Sequence, residues 1–192
     1  MAPQLAYKAH YTADEYLAFE HESDEKHEYI HGEIYAMAGA SDAHVTVSLN
    51  IAAALKAHLR GTPCRSFISD MKLRVEATDA YFYPDVFVTC RDTFPTRSDI
   101  KTDATLIVEV LSPSTAGYDR GAKFAHYRYL PSLQEYLLID IQTRTADLFR
   151  KRDDGLWVLH PYQAKDTLEL ASIGLSLAIE HVIFEDVETP AA

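Results

Sequence analysis

A chain of 192 residues with 47% hydrophobic and 24% charged side chains has enough apolar surface for one sizeable core, and its length predicts a single domain spanning 1–192. The formal net charge of -11 disfavours a sequence-independent grip on a polyanion unless a cationic groove or bound divalent metal reverses the sign locally. No stretch approaches the roughly 18 uninterrupted apolar residues of a membrane span and the N-terminal run has no apolar signal region, so a cytoplasmic protein with no membrane association is expected.

Thr12 with Glu15 three residues on forms a capping-box pattern, and Tyr11 and Tyr16 are spaced for a hydrophobic staple, which predicts a helix over 13–21. Alternation from Tyr29 to Ala36, with Gly32 in its middle, predicts a short hairpin. Asp42 is placed to cap a helix from about 43 to 60, ended by Gly61 and Pro63, with Val45, Leu49, Ala52, Ala53, Leu55 and Leu59 as its apolar face. Three strands are then predicted: SFISDMKLRV, alternating in polarity, and YFYPDVFV and TLIVEVL, apolar on both faces as in a covered central sheet. DRGAKFAHYRYL reads as a helix capped by Asp119 and stopped by Pro131, and EYLLIDI as another buried strand. TADLFRK, LWVLHPY and LELASIGLSLAI predict further strands that extend or flank the sheet, and 188–192 reads as a frayed tail. Cys64 and Cys90 sit in no CxxC pair and are expected to be unpaired, small buried hydrophobes.

Two carboxylates stand out against this scaffold. Pro84 lacks the N–H that a central strand donates, so it predicts a break in the ladder. Asp85 beside it, and Glu109 between Val108 and Val110, are costly in apolar strands unless each is paired or cation-bound. A divalent ion shared between them would remove both costs, and oxygen ligands suit a hard ion such as magnesium.

Pro84-Asp85 followed by Glu109-Val110-Leu111 resembles the PD-(D/E)xK nuclease superfamily. The chain is more closely similar to the bacterial Uma family of restriction endonucleases, through GEIYAMAGAS with His44 soon after, SFISDMKLRV, YFYPDVFV, LIVEVLSPST, YDRGAKFAHYR and LQEYLLID. These stretches run in order over roughly residues 25 to 141. The resemblance implies an α/β (α+β) fold with a restriction-endonuclease-like core at about 43–141. Its mixed central sheet is flanked by helices and joined by an N-terminal helix and hairpin and additional C-terminal strands. It also implies a Mg- or Mn-dependent endonuclease acting on DNA, with Asp85 and Glu109 as metal ligands and Asp85, Glu109 and Lys123 as catalytic residues. A homodimer is expected because cutting both strands of a duplex usually takes two sites.

The chain departs from the superfamily pattern at one position. The motif lysine would share a face with Glu109, two residues on, and Leu111 stands there. Lys123 in the following helix is the first candidate to replace it and Lys72 on the preceding strand the second. Its expected work is to hold and help deprotonate the attacking water and to offset transition-state charge. His44 at a helix start could face the phosphate or be structural, and Arg120 and Arg128 are expected to form a cationic edge with Lys123.

Two other readings compete. HEYIH at 27–31 matches the HExxH pattern of a zinc metalloprotease, which requires both histidines on one helix face, although period-two flanks and Gly32 point to a hairpin instead. A non-catalytic binding module built on the nuclease fold is the other, supported by Leu111.

Overall fold

The computed structural model describes residues 10–37, 39–90 and 99–188, so of the expected tail only Glu188 is included. Helix α1 (Ala13–Glu22) carries the capping box: Thr12 Oγ1 accepts the Glu15 N–H, and the Glu15 carboxylate accepts the Thr12 N–H at 2.9 Å. Tyr11 and Tyr16 bury with Tyr29 and Tyr81 in one cluster. Strands β1 (His27–Ile30) and β2 (Glu33–Ala36) form the expected hairpin. Its two turn residues, His31 and Gly32, both have positive φ, the geometry that matches strand twist in a two-residue turn. HEYIH is therefore strand and turn, not helix, and its histidines share no helix face. That removes the geometric basis of the zinc metalloprotease reading.

Helix α2 (Asp42–His58) is capped by Ser41 rather than Asp42. Ser41 is extended, and its hydroxyl accepts the His44 N–H, leaving Asp42 as a first-turn acid aligned with the helix dipole. The buried stripe is Val47, Ile51, Leu55 and Leu59, while Val45 and Leu49 of the expected face are 54% and 64% exposed. The helix carries two apolar stripes, so periodicity alone does not choose between them. At about 100° per residue, His44 lies on the same side as Val47, Ile51 and Leu55, and this side faces the sheet.

The expected strand SFISDMKLRV is two strands, β3 (Cys64–Ile68) and β4 (Lys72–Val75), separated by a turn in which Met71 N–H donates to Ile68 O. YFYPDVFV divides likewise into β5 (Ala80–Phe82) and β6 (Val86–Cys90), with the break at Tyr83-Pro84-Asp85. The remaining strands are β7 (Ile100–Lys101), β8 (Leu106–Leu111), β9 (Glu135–Asp140), β10 (Thr145–Lys151), β11 (Trp157–Tyr162), β12 (Thr167–Leu170) and β13 (Leu175–Ala178). They form a six-stranded sheet ordered β11-β10-β9-β8-β6-β3, a five-stranded sheet ordered β2-β1-β5-β4-β7, and the separate hairpin β12-β13. The chain thus leaves the large sheet after β3, builds β4 and β5 into the smaller one, and returns at the proline.

Strands β8 and β9 are parallel, and the crossover between them runs through α3 (Ala116–Tyr118), a π turn (Asp119–Lys123) and α4 (Phe124–Tyr127). Helical structure therefore begins before Asp119, which is a buried side chain inside the π turn and not a cap. Both faces of the large sheet are covered. Val86, Val88, Leu106, Val108, Val110, Leu137 and Ile139 pack with α2, while Phe87, Ile107, Leu111, Tyr136 and Leu138 pack with α4 and residues of the smaller sheet. Cys64 and Cys90 stand directly opposite in the β3–β6 register and are joined as a disulfide, contrary to the expectation of unpaired thiols. A pairing of residues 26 apart depends on strand register, which no local motif encodes. Among the described residues, no helix is long and apolar enough to cross a membrane.

Candidate active site

Five segments converge where the chain crosses between the sheets. The break after β5 supplies Asp85, β8 supplies Glu109, the π turn supplies Asp119 and Lys123, α2 supplies His44 and β1 supplies Glu28. Glu109 shares its face with Ile107 and Leu111, so it points to the side covered by the helical crossover. The π turn brings Asp119 and Lys123 within 3.7 Å of each other. Such widened turns recur at functional sites.

Asp85 Oδ1 lies 2.9 Å from His44 Nε2, and Oδ2 accepts the Val110 N–H at 2.8 Å. Glu109 Oε1 accepts the Tyr127 hydroxyl at 2.8 Å and lies 3.1 Å from Lys123 Nζ. The Asp85 N–H makes a long bond to Glu109 Oε2, 3.4 Å. Lys123 Nζ is also 2.9 Å from Glu28 Oε1. Leu111, at the position of the motif lysine, is buried in the core, so the ammonium reaches Glu109 from the crossover instead.

Four carboxylates, Glu28, Asp85, Glu109 and Asp119, thus surround one lysine and one histidine. Burial, opposed by Lys123 and reinforced by Asp85, pushes Glu109 up to about 8. Burial also raises Asp119. For Lys123 burial works against the charge, yet Glu109, Glu28 and Asp119 together hold its ammonium well above the ordinary lysine value. Tyr127 is raised by burial and by Glu109, which keeps it a phenol able to donate.

This excess of negative charge fits a further cation, while Glu28 Oε1, a buried oxygen with no hydrogen-bond partner, faces the Lys123 ammonium. Lys123 is near that oxygen but off the direction of a bond. Among the described residues no three His, Cys, Asp or Glu side chains surround one ion position. The donor set present is instead the pair Asp85 and Glu109, to be completed by backbone carbonyl and water oxygens, a composition suited to a hard divalent ion.

A family model described as "Putative restriction endonuclease" and named Uma2 matches residues 13–180. The chain belongs to the Uma2 family. Two relatives from Synechocystis sp. are the uncharacterized proteins slr1290 and sll1609. The first is 46% identical over 169 residues, 88% of this chain and 89% of that protein. The other is 41% identical over 150 residues, 77% and 85% of the two chains. Among solved structures, a putative nuclease of the DUF820 group from Anabaena variabilis superposes with a TM-score of 0.76 at 18% identity, covering 90% of this chain and 97% of that one. The fold of this Uma2 chain is accordingly the mixed α+β, restriction-endonuclease-like one.

The structure brings together Asp85, Glu109, Lys123 and His44. Lys72 lies elsewhere, 3.1 Å from Asp99 and over the Tyr83 ring. Of the expected cationic edge, Arg120 pairs with Asp140 and Asp147 on the large sheet and Arg128 lies over the Phe124 ring. Tyr81 and Tyr83 are core residues, Tyr83 donating to Glu20 at 2.7 Å, whereas Tyr127 belongs to the site. Glu28 and Asp119 were not among the expected site residues of this Uma2 chain. Glu28 is masked in the sequence by a misleading HExxH match, and Asp119 has the local signature of a helix cap.

Proposed function

We propose that this protein is a metal-dependent endonuclease that hydrolyses phosphodiester bonds of DNA, with Mg²⁺ or Mn²⁺ as the cofactor. The observation that carries this reading is the meeting of Asp85, Glu109 and Lys123 at the crossing between the sheets. Asp85 and Glu109 would hold the ion. When bound, a divalent ion polarises the scissile phosphate and lowers the pKa of a water nucleophile. His44 and the Val110 amide orient Asp85, and the Tyr127 hydroxyl orients Glu109. Lys123, held charged by its carboxylates, positions the attacking water and offsets the negative charge that builds on the phosphate oxygens. Cutting a duplex on both strands calls for two such sites, as in a homodimer.

The test is cleavage of plasmid, linear duplex and single-stranded substrates with Mg²⁺, Mn²⁺ or EDTA. Metal-dependent nicking or linearisation that EDTA abolishes is the expected result. Tight DNA binding with no cleavage under any metal would instead make the protein a binding module on a nuclease fold.

A further inference from the structure

Glu28 is the glutamate of the HEYIH stretch, and although that stretch is no zinc motif, its glutamate reaches the site. In β1 the side chains alternate, so Tyr29 joins the tyrosine cluster while Glu28 projects to the opposite side, toward Lys123. Glu28 is 8% exposed and its Oε1 lies 2.9 Å from Lys123 Nζ without a hydrogen bond. A carboxylate buried this deeply in a strand is costly without a cationic partner. Lys123 is that partner, although Glu109 already stands 3.1 Å from the same ammonium.

We infer that Glu28 is a positioning residue for Lys123: a second anchor, from the smaller sheet, that fixes where the ammonium sits beside the metal-binding carboxylate Glu109. The inference rests on the endonuclease reading for its catalytic consequence. A lysine side chain on a flexible four-carbon stem is fixed poorly by one partner. Here the two nearest of its three carboxylate neighbours come from different sheets, β1 in one and β8 in the other, while Asp119 lies at 3.7 Å on the same π turn, so the ammonium is held between the two sheets. The N-terminal hairpin is thereby part of the active site and not an appendage to it.

The experiment is a double-mutant cycle in the full chain, with Glu28→Gln, Lys123→Met and the double variant, read by steady-state DNA cleavage. Glu28→Gln is expected to lower kcat by about 10–100-fold, as loss of an orienting partner does, with little change in KM. In the Lys123→Met background the same change should cost almost nothing, because a residue acting through Lys123 has nothing left to position. Glu28→Asp should restore part of the turnover. Equal cost in both backgrounds, or wild-type kcat in Glu28→Gln, would overturn the inference. If the wild-type protein cuts no substrate with any metal, the endonuclease reading fails by itself, and the anchor is read from thermal unfolding. Glu28→Gln must then lower Tm in the presence of Lys123 and not in the Lys123→Met background; an equal Tm change in both overturns it.

Discussion

Asp85 Oδ2 accepts the backbone N–H of Val110 at 2.8 Å. The β6–β8 ladder ends at the pair Val86–Val108, and continuing it would place Asp85 opposite Glu109 and Pro84 opposite Val110. Proline has no N–H to keep the ladder going, so the chain departs and the Asp85 side chain takes the strand amide in its place. One dipeptide therefore both ends the sheet pairing and delivers a carboxylate beside Glu109.

Asp85→Asn and Glu109→Gln should each abolish cleavage. In EDTA the Glu109→Gln protein should be about as stable as the wild type or more so, because burial and the nearby Asp85, Asp119 and Glu28 carboxylates already disfavour the charge that is removed. Thermal unfolding and cleavage assays on the same preparations check both halves. Near-wild-type cleavage by either variant would remove that carboxylate from the mechanism.

The two candidate lysines should separate clearly. Lys123→Ala is expected to reduce turnover by roughly 10²–10⁴-fold, the range for a positioned polar group at the reacting centre, with metal binding retained. Lys72→Ala loses an ion pair with Asp99 and should leave turnover close to wild type. The reverse ranking would transfer the role to Lys72.

The pH dependence follows from Glu109. Its pKa is raised in the folded protein to about 8, chiefly by burial, from an ordinary value of 4.5. The folded state therefore binds this proton more tightly than the unfolded chain. The resulting stability is full below the ordinary value and is lost as pH rises toward about 8. Metal-free protein should lose Tm across that window, and Glu109→Gln should flatten the loss. Divalent metal must displace the same proton, so its affinity should rise with pH over the window and calorimetry should show proton release. A metal affinity independent of pH there would mean that Glu109 is already ionised or is not a ligand.

Reducing the Cys64–Cys90 disulfide should lower stability by about 3–4 kcal/mol, on the loop-entropy account for its 26-residue separation. The bond joins the edge strand β3 to β6 at the end remote from Asp85, so cleavage by protein that stays folded should be little changed. Denaturant titrations with and without reductant, beside cleavage assays, measure the two effects. In a reducing compartment the lower stability would be the working one.

Short-range chemistry in the sequence determined the α1 capping box, the hairpin at Gly32, the extent of α2, the ladder break at Pro84 and the apolar strand carrying Glu109. Each depends on residues a few positions apart, where capping, turn geometry and side-chain period act directly. Which half of SFISDMKLRV or YFYPDVFV joined which sheet was decided by tertiary structure, because alternation is the same on either sheet. So was the buried face of α2, since two apolar stripes compete until His44 and Val47 face one surface. Which lysine stands beside Glu109, Lys123 or Lys72, was decided by the path of the crossover, and Glu28 reaches Lys123 across the space between two sheets. These pairs meet through packing of segments distant in the chain, and burial and charge act there on distance in space, which residue spacing does not record.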